Sequence, residues 1–203
     1  MNRVVATVSY LSKGSGKPIY SSAGVGRNAQ FLVDRPLIEY SVVVENARLQ
    51  RPQVGQKYGL GKGDTILLDH QTQVNNFFDA QQLKPIYEDE LASLLLLATE
   101  ANRVHIFDHT IRASDPVTRE KQQSREPSTL VHNDYTINSG LKCLYENLPQ
   151  EADELSKKRF QIVNLWRPLV DPVESFPLAF CDSCSIAETD LVDTDRRSPN
   201  HIG

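Results

Sequence analysis

This chain has no long hydrophobic run, no basic stretch and almost no cysteine, and each shortage removes a class of function. The longest apolar run, residues 94–98, is far shorter than the roughly 20 residues a helical membrane span needs. A membrane partner is therefore not expected. The 22 basic and 26 acidic residues leave a net charge of −4, and the basic ones are dispersed, so no electrostatic footprint for nucleic acid stands out. Cys143, Cys181 and Cys184 are an odd number in a chain of 203 residues, which fits a reducing compartment better than a disulfide framework. No Asn-x-Ser/Thr acceptor occurs, and the opening segment is too polar for a secretory signal, with Ser9, Ser12 and Lys13 interrupting it. Cytoplasmic residence is the expectation. Internal repeats and low-complexity tracts are also lacking.

What is present is a chain long enough to bury a core as one domain. Residues 4–10 alternate apolar and small polar side chains and read as a strand, and β-prone residues 37–44 read as another. Gly59, Gly61 and Gly63 lack the ending of a phosphate-binding loop. They read as turn residues feeding a short strand at 65–68. Residues 87–102 change period: Glu88, Asp89 and Glu90 form an acidic first turn, and Leu91, Leu94, Leu95 and Ala98 fall at helical spacing. A buried strand is expected over 103–111 and an exposed loop over 113–128. Two helical segments at 141–148 and 151–158 flank Pro149, and strands are expected at 160–166 and 177–181. The charged segment 190–203 reads as a poorly ordered tail.

The chemistry is concentrated in Val131-His132-Asn133-Asp134-Tyr135-Thr136. Alternate residues of a strand project to one face, so the imidazole of His132 and the carboxylate of Asp134 can grip one ion together. Spacing alone is weak support: five histidines and fourteen aspartates in 203 residues make a chance His-x-Asp about a one-in-three event. Context strengthens it, because a polar loop leads in and turn-forming Asn138-Ser139-Gly140 closes the unit. The plain alternative is a surface or capping role. His105, Asp108 and His109 form a rival cluster, better read as hydrogen-bonded structural residues. Cys181 and Cys184 lack the second pair a structural zinc needs. Arg167, closing Asn164-Leu165-Trp166-Arg167-Pro168, is a planar donor suited to clamping a carboxylate, with pairing to Asp171 or Glu174 equally open. No nucleophile elbow supports hydrolysis.

Taken together, four blocks resemble a known family: residues 103–112, residues 131–136, residues 159–168, and Pro177-Leu178-Ala179-Phe180-Cys181-Asp182 with Asp190-Leu191-Val192. Their order and separation are similar to those of the fungal hydroxylase/desaturase family typified by AsaB, which includes gibberellin-desaturase-like proteins and relatives of the cephalosporin methoxylation protein CmcJ. The resemblance implies an iron(II)/2-oxoglutarate oxygenase acting on a small-molecule secondary metabolite, with a double-stranded β-helix. His132 and Asp134 would be metal ligands, and Tyr135, Thr136, Asn164 and Arg167 would line the substrate or cosubstrate pocket. The fold class so implied is α+β, a partial double-stranded β-helix with N-terminal and inserted helices, residues 1–192 forming an incomplete oxygenase-like domain and 193–203 a divergent tail. Members of that family continue past Asp193 through the strands bearing a distal histidine, so a shortened chain is expected, through a premature stop or an altered splice. The rival expectation is an inactive remnant that binds or dimerises through an exposed sheet edge.

Overall fold

The architecture comes from a computed structural model that describes residues 2–23, 30–50, 65–198 and 201–202. The alternating segment near the start forms β1 (Arg3–Leu11), which pairs antiparallel with β4 (Leu37–Glu45) along its full length. Both strands lie where the sequence pattern puts them. An ion pair at 2.8 Å joins Arg3 to Glu45 at one end of the ribbon, and Tyr10 meets Tyr40 edge-to-face with ring centroids 5.7 Å apart near the other.

A second sheet has the order β3-β2-β5-β6, built from β2 (Ile19–Ala23), β3 (Gln30–Val33), β5 (Asp195–Ser198) and β6 (His201–Ile202). β2 pairs antiparallel with β3 and parallel with β5. The segment expected as a tail without regular structure thus supplies two strands. Backbone pairing asks for no apolar side chains: Asp195 N–H donates to Pro18 O at 2.9 Å, and Lys17 pairs with the Asp195 carboxylate.

Asp79 caps α1 (Ala80–Gln82), accepting from Gln81 N–H at 2.9 Å, and the chain continues through a π turn (Leu83–Tyr87) into α2 (Glu88–Ala98). Pro85, which has no N–H to give, falls inside the π turn, where the regular ladder is already interrupted. α2 ends at Ala98, where the backbone of Thr99 turns extended (φ −117°, ψ 165°) and its hydroxyl donates to Leu95 O at 2.7 Å. Val74, Tyr87 and Leu91 form the buried core cluster, with Phe77, Leu83, Ile86, Ile106 and Leu165 packed around it.

The expected loop at 113–128 contains a helix, α3 (Pro116–Gln122). Asp115 accepts from both the N–H and the hydroxyl of Thr118 at 2.7 Å, Pro116 fills the first helical position, and Gln123 ends the helix with φ +50°. α4 (Ile137–Asn147) and α5 (Ala152–Leu155) are the two segments expected around Pro149. Asn138, Ser139 and Gly140, read from sequence as a turn, are the first turn of α4, because Thr136 and Ser139 form a capping box.

None of the expected strands at 65–68, 103–111, 131–136, 160–166 and 177–181 pairs in a ladder among the described residues. Isolated bridges pair Ser9 with Leu130 and Arg112 with Arg125. β propensity records fit to a neighbouring strand more than an intrinsic backbone preference, and among the described residues these segments have no such neighbour. Gly59, Gly61 and Gly63 lie outside the described residues.

Leu91→Ala is expected to cost about 2–4 kcal/mol, whereas Leu97→Ala, at a position 80% exposed, is expected to stay within about 0.5 kcal/mol. Chemical denaturation of both variants checks this. Thr136→Ala removes the α4 cap and is expected to cost about 1 kcal/mol by the same measurement.

Candidate metal centre

Val131 N–H donates to Ser9 O at 3.0 Å, which tethers the His-x-Asp segment to β1 without making it a strand. His132 and Asp134 nonetheless turn toward each other, with His132 Nε2 and Asp134 Oδ1 3.5 Å apart. The remaining atoms of each group are already engaged. His132 Nδ1 lies 2.7 Å from Leu130 O. A carbonyl only accepts, so the neutral ring carries its proton on Nδ1 and leaves the Nε2 lone pair free. Asp134 Oδ2 accepts from Asn164 Nδ2 at 2.6 Å, leaving Oδ1 on the side of Nε2.

That donor set fits two positions of a two-histidine-one-carboxylate centre. Ligand atoms about 2 Å from one ion stand about 3 Å apart when they subtend a right angle, close to the spacing seen. The outer contacts, imidazole to backbone carbonyl and carboxylate to carboxamide, are the kind that orient metal ligands. Among the described residues no group of three His, Cys, Asp or Glu side chains converges, so these two protein donors stand without a third there.

Each side chain shifts the other's titration. The hydrogen bond to Asp134 raises the pKa of His132 above its ordinary 6.5, against the opposing effect of partial burial. The same contact holds the Asp134 carboxyl below its ordinary 3.8, and the Asn164 hydrogen bond adds to it. Arg112 lies near enough to lower both pKa values by charge. Its guanidinium is held by Glu126 O at 2.7 Å. Sequence reasoning missed Arg112; it stands at the end of the 103–112 block, next to Ile111, whose carbonyl accepts from Arg125 N–H at 3.0 Å.

The other expected pocket residues separate. Asn164 reaches the centre. Tyr135 turns its hydroxyl toward Cys143 Sγ of α4, 3.9 Å away, and burial pushes the phenol up to about 12, so it remains protonated at neutral pH. Thr136 Oγ1 caps α4, accepting from Ser139 N–H at 3.1 Å. Arg167 turns into the core: Nε donates to Tyr87 OH and Nη1 to His70 O, both at 3.2 Å, Nη2 contacts His70 Nδ1, and the guanidinium lies 5.6 Å from the Tyr87 ring centre. His70 was not singled out from sequence, and nothing nearby in sequence signals its pairing with a residue 97 positions later. His109, in the rival cluster, is committed to Glu88 at 3.1 Å.

A cavity of about 330 Å³ opens between residues 108–111 and 122–125. Asp108, His109, Thr110 and Arg125 give it polar walls, and the buried Ser124 hydroxyl beside it has no hydrogen-bond partner among the described residues.

Comparison with known proteins gives this geometry a context. The chain is 35% identical over 137 residues to hydroxylase/desaturase CTB9 of Cercospora beticola, covering 62% of this chain and 42% of that protein. It is 25% identical over 180 residues to Oxidoreductase AN1597 of Emericella nidulans, covering 86% and 59%. It is 30% identical over 129 residues to the Fe(II)/2-oxoglutarate-dependent dioxygenase nvfI of Aspergillus novofumigatus, covering 59% and 46%. The chain spans about half the length of the curated relatives it matches. No solved structure matches it. The family model described as "Oxidoreductase/YMDC permease-like domain" matches residues 9–203, nearly the whole sequence, and the chain belongs to that family.

Proposed function

We propose that this chain carries the iron-binding portion of an iron(II)/2-oxoglutarate-dependent oxygenase that hydroxylates or desaturates a small-molecule secondary metabolite in the cytoplasm. The observation that carries the reading is the convergence of His132 Nε2 and Asp134 Oδ1 at 3.5 Å, with the other polar atoms of both groups already occupied. A complete double-stranded β-helix, to which this chain contributes a part, belongs to the same proposal. The names of related fungal proteins, hydroxylase/desaturase and Fe(II)/2-oxoglutarate-dependent dioxygenase, support it.

His132 and Asp134 would hold the iron. With 2-oxoglutarate and dioxygen, the bound metal supplies the oxidising power to break an unactivated C–H bond. The protein's own side chains prepare the place: Leu130 O sets the imidazole tautomer, and Asn164 hydrogen-bonds the far oxygen of the carboxylate. Among the described residues no helix is long and apolar enough to cross a membrane.

A second reading, a non-catalytic fragment that self-associates, is favoured by two observations. Among the described residues two donors stand without a third, and the β1–β4 ribbon forms a separate two-stranded sheet with Val5, Tyr40 and Val43 exposed. Sedimentation velocity separates it: concentration-dependent dimers lost on Val43→Lys support edge association, and a monomer at all concentrations removes it.

Iron(II) under anaerobic conditions is expected to raise the melting temperature, by the equivalent of about 2.7 kcal/mol at a hundredfold excess over Kd, with 2-oxoglutarate adding a further rise. The double variant His132→Ala/Asp134→Ala is expected to lose both. No shift with iron in the parent chain counts against the oxygenase reading.

The centre also predicts a pH dependence. His132's pKa is raised, so its contribution to stability is complete below 6.5 and fades as pH climbs through the raised value. Asp134's is lowered, so its contribution is complete above 3.8 and fades as pH falls through the lowered value. The ion pair is therefore complete from about pH 4 to 6.5. Both side chains are more than 40% exposed, which holds its worth to at most about 1 kcal/mol. Asp134→Asn is expected to cost stability at pH 5.5 and little at pH 9, measured by urea denaturation. Because imidazolium cannot bind metal, metal uptake is expected to rise with pH through the raised His132 pKa.

A further inference from the structure

The geometry points to Asn164 as a positioning residue for the centre: its carboxamide holds the Asp134 carboxylate in the one orientation that presents Oδ1 to His132. This inference rests on the metal reading above and assigns the expected pocket residue a specific task.

The contact is short, with Asn164 Nδ2 donating to Asp134 Oδ2 at 2.6 Å across 30 positions of sequence. Both residues are exposed, and a lone hydrogen bond between freely moving exposed side chains adds little after its cost in side-chain freedom. Asn164 avoids much of that cost because its backbone is anchored on both sides. Ile162 lies over α4, its Cδ1 3.7 Å from where a side chain on Gly140 would begin. Leu165 packs against the Val74, Tyr87 and Leu91 cluster. Arg167 is clamped by Tyr87 OH and His70 O.

The choice of amide has a chemical logic. A lysine or arginine at 164 would also reach a carboxylate, but its charge would compete with a metal ion for the same negative group. A neutral N–H donor orients Oδ2 and leaves the charge on Oδ1 available. Without it, the Asp134 side chain has three staggered χ1 wells open to it, and only an orientation facing Nε2 makes a bidentate site.

The experiment compares the parent chain with Asn164→Ala and Asn164→Asp, the latter matching the shape of asparagine but replacing the donor with a carboxylate. Three-bond N–Cγ and C′–Cγ couplings of Asp134 are measured by NMR in the metal-free proteins at pH 8. A single Asp134 rotamer in the parent and averaging in both variants is expected. Averaging in the parent, or an unchanged single rotamer in either variant, overturns the proposal. Cobalt(II) titration, followed by its visible absorption, then reads the consequence, with Asn164→Ala expected to weaken binding about 10–100-fold. Binding equal to the parent's would also overturn it. If the parent chain binds no cobalt(II), the metal reading falls, while the rotamer measurement still decides whether Asn164 positions Asp134.

Discussion

The Tyr87 ring is the point on which three stretches of chain depend. It sits at the junction of the π turn and α2, meets Phe77 edge-to-face at 5.0 Å, and packs with Val74 and Leu91 in the buried cluster. Its hydroxyl and its face together receive Arg167. The segment leading into the helix, the helix itself and the late 160–168 segment are thereby tied at one place. A phenol suits this because one end is apolar and the other accepts a hydrogen bond. Among the described residues few side chains are buried, and the docking of an arginine on an aromatic face does part of the work that apolar packing does in larger cores.

The His132–Asp134 pair inherits its geometry from that tie. Asn164 lies between residues anchored to α4 and to the Tyr87 cluster, and it reaches Asp134 because those anchors set its backbone. His132 is oriented from the other direction, by the carbonyl of Leu130, whose own position follows from the bridge to Ser9 on β1. Two distant parts of the chain thus converge on an imidazole and a carboxylate only two positions apart. The pKa shifts follow from this convergence, since each group's principal perturbation is the other.

Helices were legible where the signals are local. The acidic first turn and leucine spacing marked α2, and Asp115-Pro116 carried a start signal for α3 within a stretch whose polarity suggested a loop. The strands β1 and β4 were legible through alternation, and each found the other as a partner. Residues 160–166 and 177–181 have equally strong β composition but pair in no ladder among the described residues, because a strand is a relation between two segments. The tail shows the converse: Asp195–Ser198 lacks an apolar pattern, yet it pairs with β2 through backbone groups every residue possesses.

Sequence by itself determined the ingredients of the site: a histidine and an aspartate at a spacing that lets two donors share an ion, and four blocks whose order resembles an oxygenase family. Only the tertiary structure decided what each side chain does with its donors and acceptors. Arg167, which sequence offered as a carboxylate clamp, spends its guanidinium on Tyr87 and His70. Thr136 spends its hydroxyl on a helix cap, and Asn164, expected in the pocket lining, bonds instead to the Asp134 carboxylate. The physical reason is that residue type and local spacing set what a group can bond to, whereas a hydrogen bond over 30 or 97 positions exists only once packing has brought its partners together.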